Sequence, residues 1–143
     1  MNVDLAVDAD ADALAKLSGE LGYPSTAEQI AGRLIALPED HRVWVARAEG
    51  GLVVGWIHAY VARHLVLDPY VEIGGLVVGE GERGRGIGPR LIEQACDWAR
   101  ALGCDRVGVH SNVVREDAHR FYEREGFVLE KRQGVFTRRI ALS

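Results

Sequence analysis

Cysteine, proline and methionine are scarce in this chain of 143 residues, with two, four and one respectively. Two cysteines, Cys96 and Cys104, cannot supply a disulfide framework, and a metal pair or redox motif would want tighter spacing and more ligands. They are expected as reduced, mostly buried thiols, and no metal is expected. Basic charge is not in excess either: 17 lysines and arginines face 21 acidic residues, a net charge of −4. The two signs are interleaved, which argues against a nucleic acid, whose phosphate backbone needs a basic face. No apolar stretch approaches the roughly 20 residues of a bilayer span. Met1-Asn-Val-Asp opens without the basic segment and apolar core of a secretory leader. The expectations are therefore no membrane partner and a cytoplasmic location. No repeat, low-complexity tract or linker interrupts the chain, so a single domain over 1–143 is expected.

What is present is an ordinary globular composition, 48% hydrophobic and 27% charged, in well-punctuated segments. Asn2–Val7 alternates like a strand. Asp8 or Asp10 is placed to cap a helix carrying Leu14, Leu17 and Leu21, ended by Gly22 and Pro24. Ser25-Thr-Ala-Glu28 reads as a capping box for a second helix with Ile30, Leu34 and Ile35 inward, stopped by Pro38. Arg42–Ala48 and Leu52–Val61 are β-rich runs joined by Glu49-Gly50-Gly51. Tyr70–Val78 is a further strand, interrupted by Gly74-Gly75, a pair that marks a bulge or a close backbone approach.

Leu91, Ile92, Ala95, Cys96, Ala99 and Leu102 form a helical stripe closed by Gly103. Arg106–His110 is a short strand and Glu116–Arg124 a helix ended by Gly126. Phe127–Lys131 and Val135–Leu142 are expected as a final strand pair. The whole reads as a mixed sheet flanked by helices, α/β or α+β.

Between the Tyr70–Val78 strand and the Leu91 helix lies Arg83-Gly-Arg-Gly-Ile-Gly88. Glycines let backbone N–H groups turn onto an anion, and the following helix points its positive end at the same place. Arginines 83, 85 and 90 make this the one basic focus of the chain. Gly79-Glu-Gly-Glu-Arg-Gly84 matches G-x-G-x-x-G literally, but Glu80 and Glu82 would face a pyrophosphate and the helix starts too late. A Walker A reading fails because Arg85-Gly86 stands where Lys-Ser/Thr is required. Arg83-x-x-Gly86-x-Gly88, following Leu76-Val77-Val78, agrees in both spacing and strand–loop–helix context.

These residues resemble the acetyl-CoA signature of the GNAT superfamily of N-acetyltransferases, Arg/Gln-x-x-Gly-x-Gly/Ala after a Leu-x-Val strand. Ala118-His-Arg-Phe-Tyr122-Glu-Arg-Glu-Gly126-Phe127 is similar to the family's Ala-x-x-x-Tyr-x-x-x-Gly-Phe segment, and the element order agrees from Asn2 to Leu142. The resemblance implies a central, mostly antiparallel mixed sheet of about seven strands with about four helices, splayed at the acetyl-CoA site. It implies an acyltransferase moving acetyl from acetyl-CoA to an amine, and a homodimer is common among such proteins.

By the same resemblance, the pantetheine arm lies on Leu76, Val77 and Val78. The pyrophosphate lies on Arg83, Gly84, Arg85, Gly86, Ile87 and Gly88, although Pro89 donates no N–H. Tyr122 matches the tyrosine that protonates the CoA sulfur. Glu72, eleven positions before Arg83, has the spacing of the glutamate base in the histone-acetylating branch. Where many members carry Asn seven before the tyrosine this chain has Arg115, with Asn112 nearby, and either is a candidate cofactor contact.

An alkylammonium near pKa ~10 must lose a proton before it attacks, and the leaving thiolate should gain one. A carboxylate on an apolar strand is costly unless paired or functional, which singles out Glu72 on independent grounds. His58, His64 and His110 are further candidates for binding substrate or relaying a proton. Direct attack in a ternary complex is expected, since no cysteine sits at a motif position. A non-catalytic CoA-binding module is the alternative, opposed by Glu72 and Tyr122. The acceptor stays open among aminoalkylphosphonates, aminoglycosides, other small amines and protein. The stretch from Ser111 to Phe127 is also similar to aminoalkylphosphonate acetyltransferases, and the acidic balance favours cationic acceptors through steering.

Overall fold

Segments with period-two burial become strands, and those with a 3.6-residue apolar stripe become helices. The computed structural model describes residues 1–111 and 116–142. Its elements are β1 (Asn2–Leu5), α1 (Ala11–Glu20), α2 (Ala27–Ala36), β2 (His41–Arg47), β3 (Val53–Ala62), β4 (Tyr70–Val78), α3 (Ile87–Ala101), β5 (Val107–Val109) and α4 (Glu116–Arg124). The strands form one sheet in the order β1-β2-β3-β4-β5, antiparallel except for the parallel β4–β5 pair. By contact the chain divides into two units, Met1–His110 and Ser111–Ser143.

Within the first unit, Ile57, Ala59 and Val61 of β3 are buried on the face that meets α3. A Cβ on Gly55 of the same face would lie 3.2 and 3.3 Å from the side chains of Ile87 and Leu91. The opposite face, carrying Val43, Trp56 and His58, looks toward Leu14 of α1 and Ile30 and Leu34 of α2. Arg47 clamps both carboxylate oxygens of Asp10 at 2.8 Å, and Asp10 also accepts the Val7 N–H at 2.9 Å. This fork ties the turn before α1 to β2, and the guanidinium holds the Asp10 carboxyl below its usual range.

Several local expectations shift. Asp10 precedes α1 but does not cap it, because its carboxylate faces Arg47 and Val7 instead. The box opening α2 is Thr26 with Gln29, one residue later than expected, each side chain bonding the other's backbone N–H at 3.0 Å. Ile35 is 76% exposed rather than inward, and Leu102 stands out of the α3 stripe into solvent. Cys96 and Cys104 are free and only half-buried.

Among the described residues the sheet has five strands rather than about seven. Residues 127–142 belong to no strand, and Val128, Val135 and Phe136 are exposed, Phe136 at 97%. Their alternation satisfies the side-chain rule for a strand, but a strand also needs a backbone partner, which a sequence pattern does not specify.

Candidate active site

The β3–β4 ladder slips at the glycine pair. His58 faces Gly75 and Ala59 faces Ile73, which leaves Gly74 without an opposite residue. Gly74 and Gly75 therefore turn the same way, a bulge where any larger residue would press on the side chains of the neighbouring strand. A Cβ on Gly74 would sit 2.9 Å from His58 Nδ1, and one on Gly75 2.8 Å from Trp56 Cη2.

On its other side β4 pairs with β5 only through Val71, Glu72 and Ile73. From Gly74 to Val78 that edge has no strand beside it among the described residues. Leu76, Val77 and Val78 thus fill the wall with side chains, Val77 buried, and leave one row of main-chain groups open. This is the expected splay.

The edge leads through Gly79 and a short turn into the glycine–arginine loop. Gly84 and Gly86 have φ of 80° and 78°, a left-handed conformation that favours glycine. A Cβ on either would meet no atom within 4 Å, so conformation rather than space demands glycine there. Gly86 stands at the N-cap of α3 without a capping side chain, so the first amides of the helix keep no side-chain acceptor. α3 begins at Ile87, two residues before Pro89, which falls in a first turn where its missing N–H costs nothing. Ile87 puts its side chain in the core and Gly88 is buried. Arg83 is exposed, while Arg85 is paired with Glu82 at 3.2 Å. The loop has the donors, the charge and the open space that a diphosphate requires.

Glu72 is 4% exposed, and one observation explains how a carboxylate sits there. Its cross-strand neighbour is Gly108, whose absent side chain leaves Glu72 Oε1 its room, 3.0 Å from where a Cβ would be. His110 Nδ1 donates to Glu72 Oε2 at 3.1 Å, and the His110 side chain is 75% exposed. The buried carboxylate therefore has a route to solvent through an imidazole. Sequence reasoning named both residues without pairing them; their pairing follows only from the parallel register of β4 and β5.

On the same sheet face His58 Nε2 and His41 Nδ1 share a hydrogen at 2.9 Å, and Tyr60 stacks on His41 at 4.9 Å. Burial, aided by His41, lowers the His58 pKa and holds the ring neutral. Burial, aided by Glu72, raises that of Tyr60. His41 and Tyr60 carried no signal in the sequence, being single members of a β run. His64 lies apart, stacked on Tyr70.

Between this face and the helices α1 and α2 is a cavity of about 410 Å³ whose walls include Trp56 and His58. A second depression of about 340 Å³ opens on the other side of Leu34 and Val43, toward β1.

In the second unit Tyr122 lies on α4 between the ring edges of Phe121 and Phe127, at 5.2 and 5.5 Å. Gly126, at φ 90°, ends the helix, and the Phe127 N–H returns to the Tyr122 carbonyl at 3.0 Å. Burial pushes the Tyr122 phenol up, so it stays protonated at neutral pH. Asn112 and Arg115 lie outside the described residues. Among the described residues no group of three metal-ligating side chains is placed to hold an ion, and no helix is long and apolar enough to cross a membrane.

The chain matches the acetyltransferase (GNAT) family over residues 12–127. It is 35% identical over 112 residues to an aminoalkylphosphonate N-acetyltransferase of Salmonella typhimurium, spanning 78% of this chain and 71% of that one. It is 25% identical over 122 residues to an aminoglycoside N(6')-acetyltransferase type 1 of Serratia marcescens, spanning 82% of each. Among solved structures, an aminoglycoside antibiotic 6'-N-acetyltransferase of Acinetobacter haemolyticus has the same fold. It overlays with a TM-score of 0.86 at 21% identity, over 99% of this chain and 100% of that one. The splayed strand, its phosphate-type loop and these relatives agree: the chain belongs to the GNAT superfamily of N-acetyltransferases and is an acyltransferase.

Proposed function

We propose that the protein moves an acetyl group from acetyl-CoA to the primary amine of a small molecule, by direct attack in a ternary complex. The observation that carries this reading is the edge of β4 from Gly74 to Val78, unpaired among the described residues and running directly into the loop at 83–88. The main chain of Leu76, Val77 and Val78 takes the pantetheine arm as an added strand. Arg83, the turn at Gly84 and Gly86, and the amides of Ile87 and Gly88 hold the diphosphate. Arg85 reaches a phosphate by leaving Glu82. A backbone N–H at the Gly74-Gly75 bulge stabilises the thioester oxygen as it gains charge.

The acceptor enters as an ammonium and must become an amine. Glu72 takes that proton, directly or through a water, and His110, turned to the tautomer whose Nδ1 is free, accepts it and passes it to solvent, which restores the carboxylate. Nitrogen then attacks the thioester carbonyl, the carbon–sulfur bond breaks, Tyr122 gives its proton to the departing thiolate, and the proton that the nitrogen sheds as the amide forms restores the phenol. Burial raises the Cys96 thiol pKa, which suits a route without a covalent acetyl-cysteine. The relatives acting on aminoalkylphosphonates and aminoglycosides support a small-molecule acceptor over a protein.

The test is thiol release from acetyl-CoA across a panel of primary amines, with the acetylated product identified by mass. Amine-dependent release is expected. Binding of acetyl-CoA without turnover on any amine would overturn the enzyme reading in favour of a CoA-binding module.

A further inference from the structure

We infer that the acceptor is a primary amine carried on an apolar arm, aryl-alkyl or branched alkyl, which fills the cavity between α1, α2 and the β2–β3 face. This rests on the transferase reading above and adds to it the chemical class of the acceptor.

The cavity has a volume of about 410 Å³, the lower part of the range of small-molecule sites. Its walls are Leu14, Ile30, Leu34, Leu37, Val43 and Trp56, from two helices and two strands. Among the described residues no carboxylate lines it, and the one charged wall residue is Arg33, an exposed side chain bonded to Ser25 Oγ at 3.3 Å. The hydroxyl of Ser18 is directed back to the Leu14 carbonyl at 2.7 Å. The His58 ring is neutral, and its Nε2 is engaged with His41. Such a lining has neither the negative charge nor the hydrogen-bonding groups to replace the hydration of a polycationic aminoglycoside. A two-carbon aminoalkylphosphonate would leave most of the space empty and could bring its anion only to Arg33 at the rim. An apolar body, by contrast, gains from every wall.

One feature orients it. The wall of the cavity formed by Trp56 and His58 borders the Gly74-Gly75 bulge, since these two side chains stand next to the missing Cβ positions. An arm lying against Trp56 therefore directs its amine toward the bulge and Glu72, one row further along the same face.

The experiment is acetyl transfer to a homologous series of n-alkylamines and to 2-phenylethylamine, with 2-aminoethylphosphonate and kanamycin as polar comparisons. The expected kcat/KM rises about fourfold per added methylene until the cavity is full, with 2-phenylethylamine well above both polar acceptors. Leu34→Ala, a half-buried wall position on α2, should lower kcat/KM for 2-phenylethylamine about tenfold and leave the acetyl-CoA KM unchanged. A flat series, with 2-aminoethylphosphonate or kanamycin acetylated as well or better, overturns the apolar arm and leaves the transferase standing. No transfer to any amine overturns both.

Discussion

Glu72 owes its place to a glycine on the neighbouring strand. Without the gap at Gly108 its carboxylate would collide with a side chain, and without His110 it would be a buried charge with no partner. The proposed chemistry makes distinct predictions for the two proton-handling residues. Glu72→Gln keeps the shape but takes no proton, so its deficit in kcat/KM should shrink as pH rises and more of the acceptor is already neutral. A deficit independent of pH would assign Glu72 to structure instead. Tyr122→Phe removes only the phenolic oxygen from a ring packed against Phe121 and Phe127. Turnover should fall at least about tenfold, with acetyl-CoA affinity measured by calorimetry nearly unchanged. Both residues were legible in the sequence, one as a carboxylate in an apolar run and the other within a motif. The His41–His58–Tyr60 cluster was not, because its members come together only through the β2–β3 register.

At the scale of elements, β4 is held tightly along β3 and only briefly by β5, and the glycines of the β3–β4 pair differ in what they face. Gly55 on β3 meets the Val77 carbonyl, where a Cβ would lie at 2.9 Å from backbone that cannot move aside. Gly55→Ala should cost about 1–3 kcal/mol in urea unfolding. Gly75→Ala meets only the rim of the Trp56 indole, a side chain able to turn, so it should change the acceptor KM more than the stability. The conformation of the glycine–arginine loop was readable in advance because glycine spacing encodes backbone conformation directly: Gly84 and Gly86 both take the left-handed φ their loop needs. The cavity was not readable. Leu14, Leu34, Val43 and Trp56 each look like core positions of their own element, and a void is a property of four elements meeting. The expected C-terminal strand pair failed for a related reason, since period-two alternation identifies a face and leaves the ladder partner unnamed.

At the scale of the whole molecule, two buried titrations among the described residues contribute to the response to acid, and both have the same sign. Asp10, lowered by Arg47 from its ordinary 3.8, contributes stability that is present above that value and lost as pH falls below it toward the depressed folded value. His58, lowered by burial from 6.5, is neutral when folded but takes a proton when unfolded, so stability declines as pH falls from 6.5 toward the folded value. Thermal unfolding followed across pH should therefore weaken in two stages. His58→Gln should flatten the upper stage alone and Asp10→Asn the lower, the latter also lowering stability at neutral pH by about 2–3 kcal/mol through the broken fork. The division of labour between elements has a longer reach. The groups assigned to the acyl donor are mostly main-chain atoms of β4 and the loop before α3, and a main-chain amide survives almost any substitution. The walls assigned to the acceptor are side chains on α1, α2, β2 and β3. A lineage built this way can exchange one amine for another by ordinary point changes on two helices, while the half that supplies the acetyl group is inherited intact.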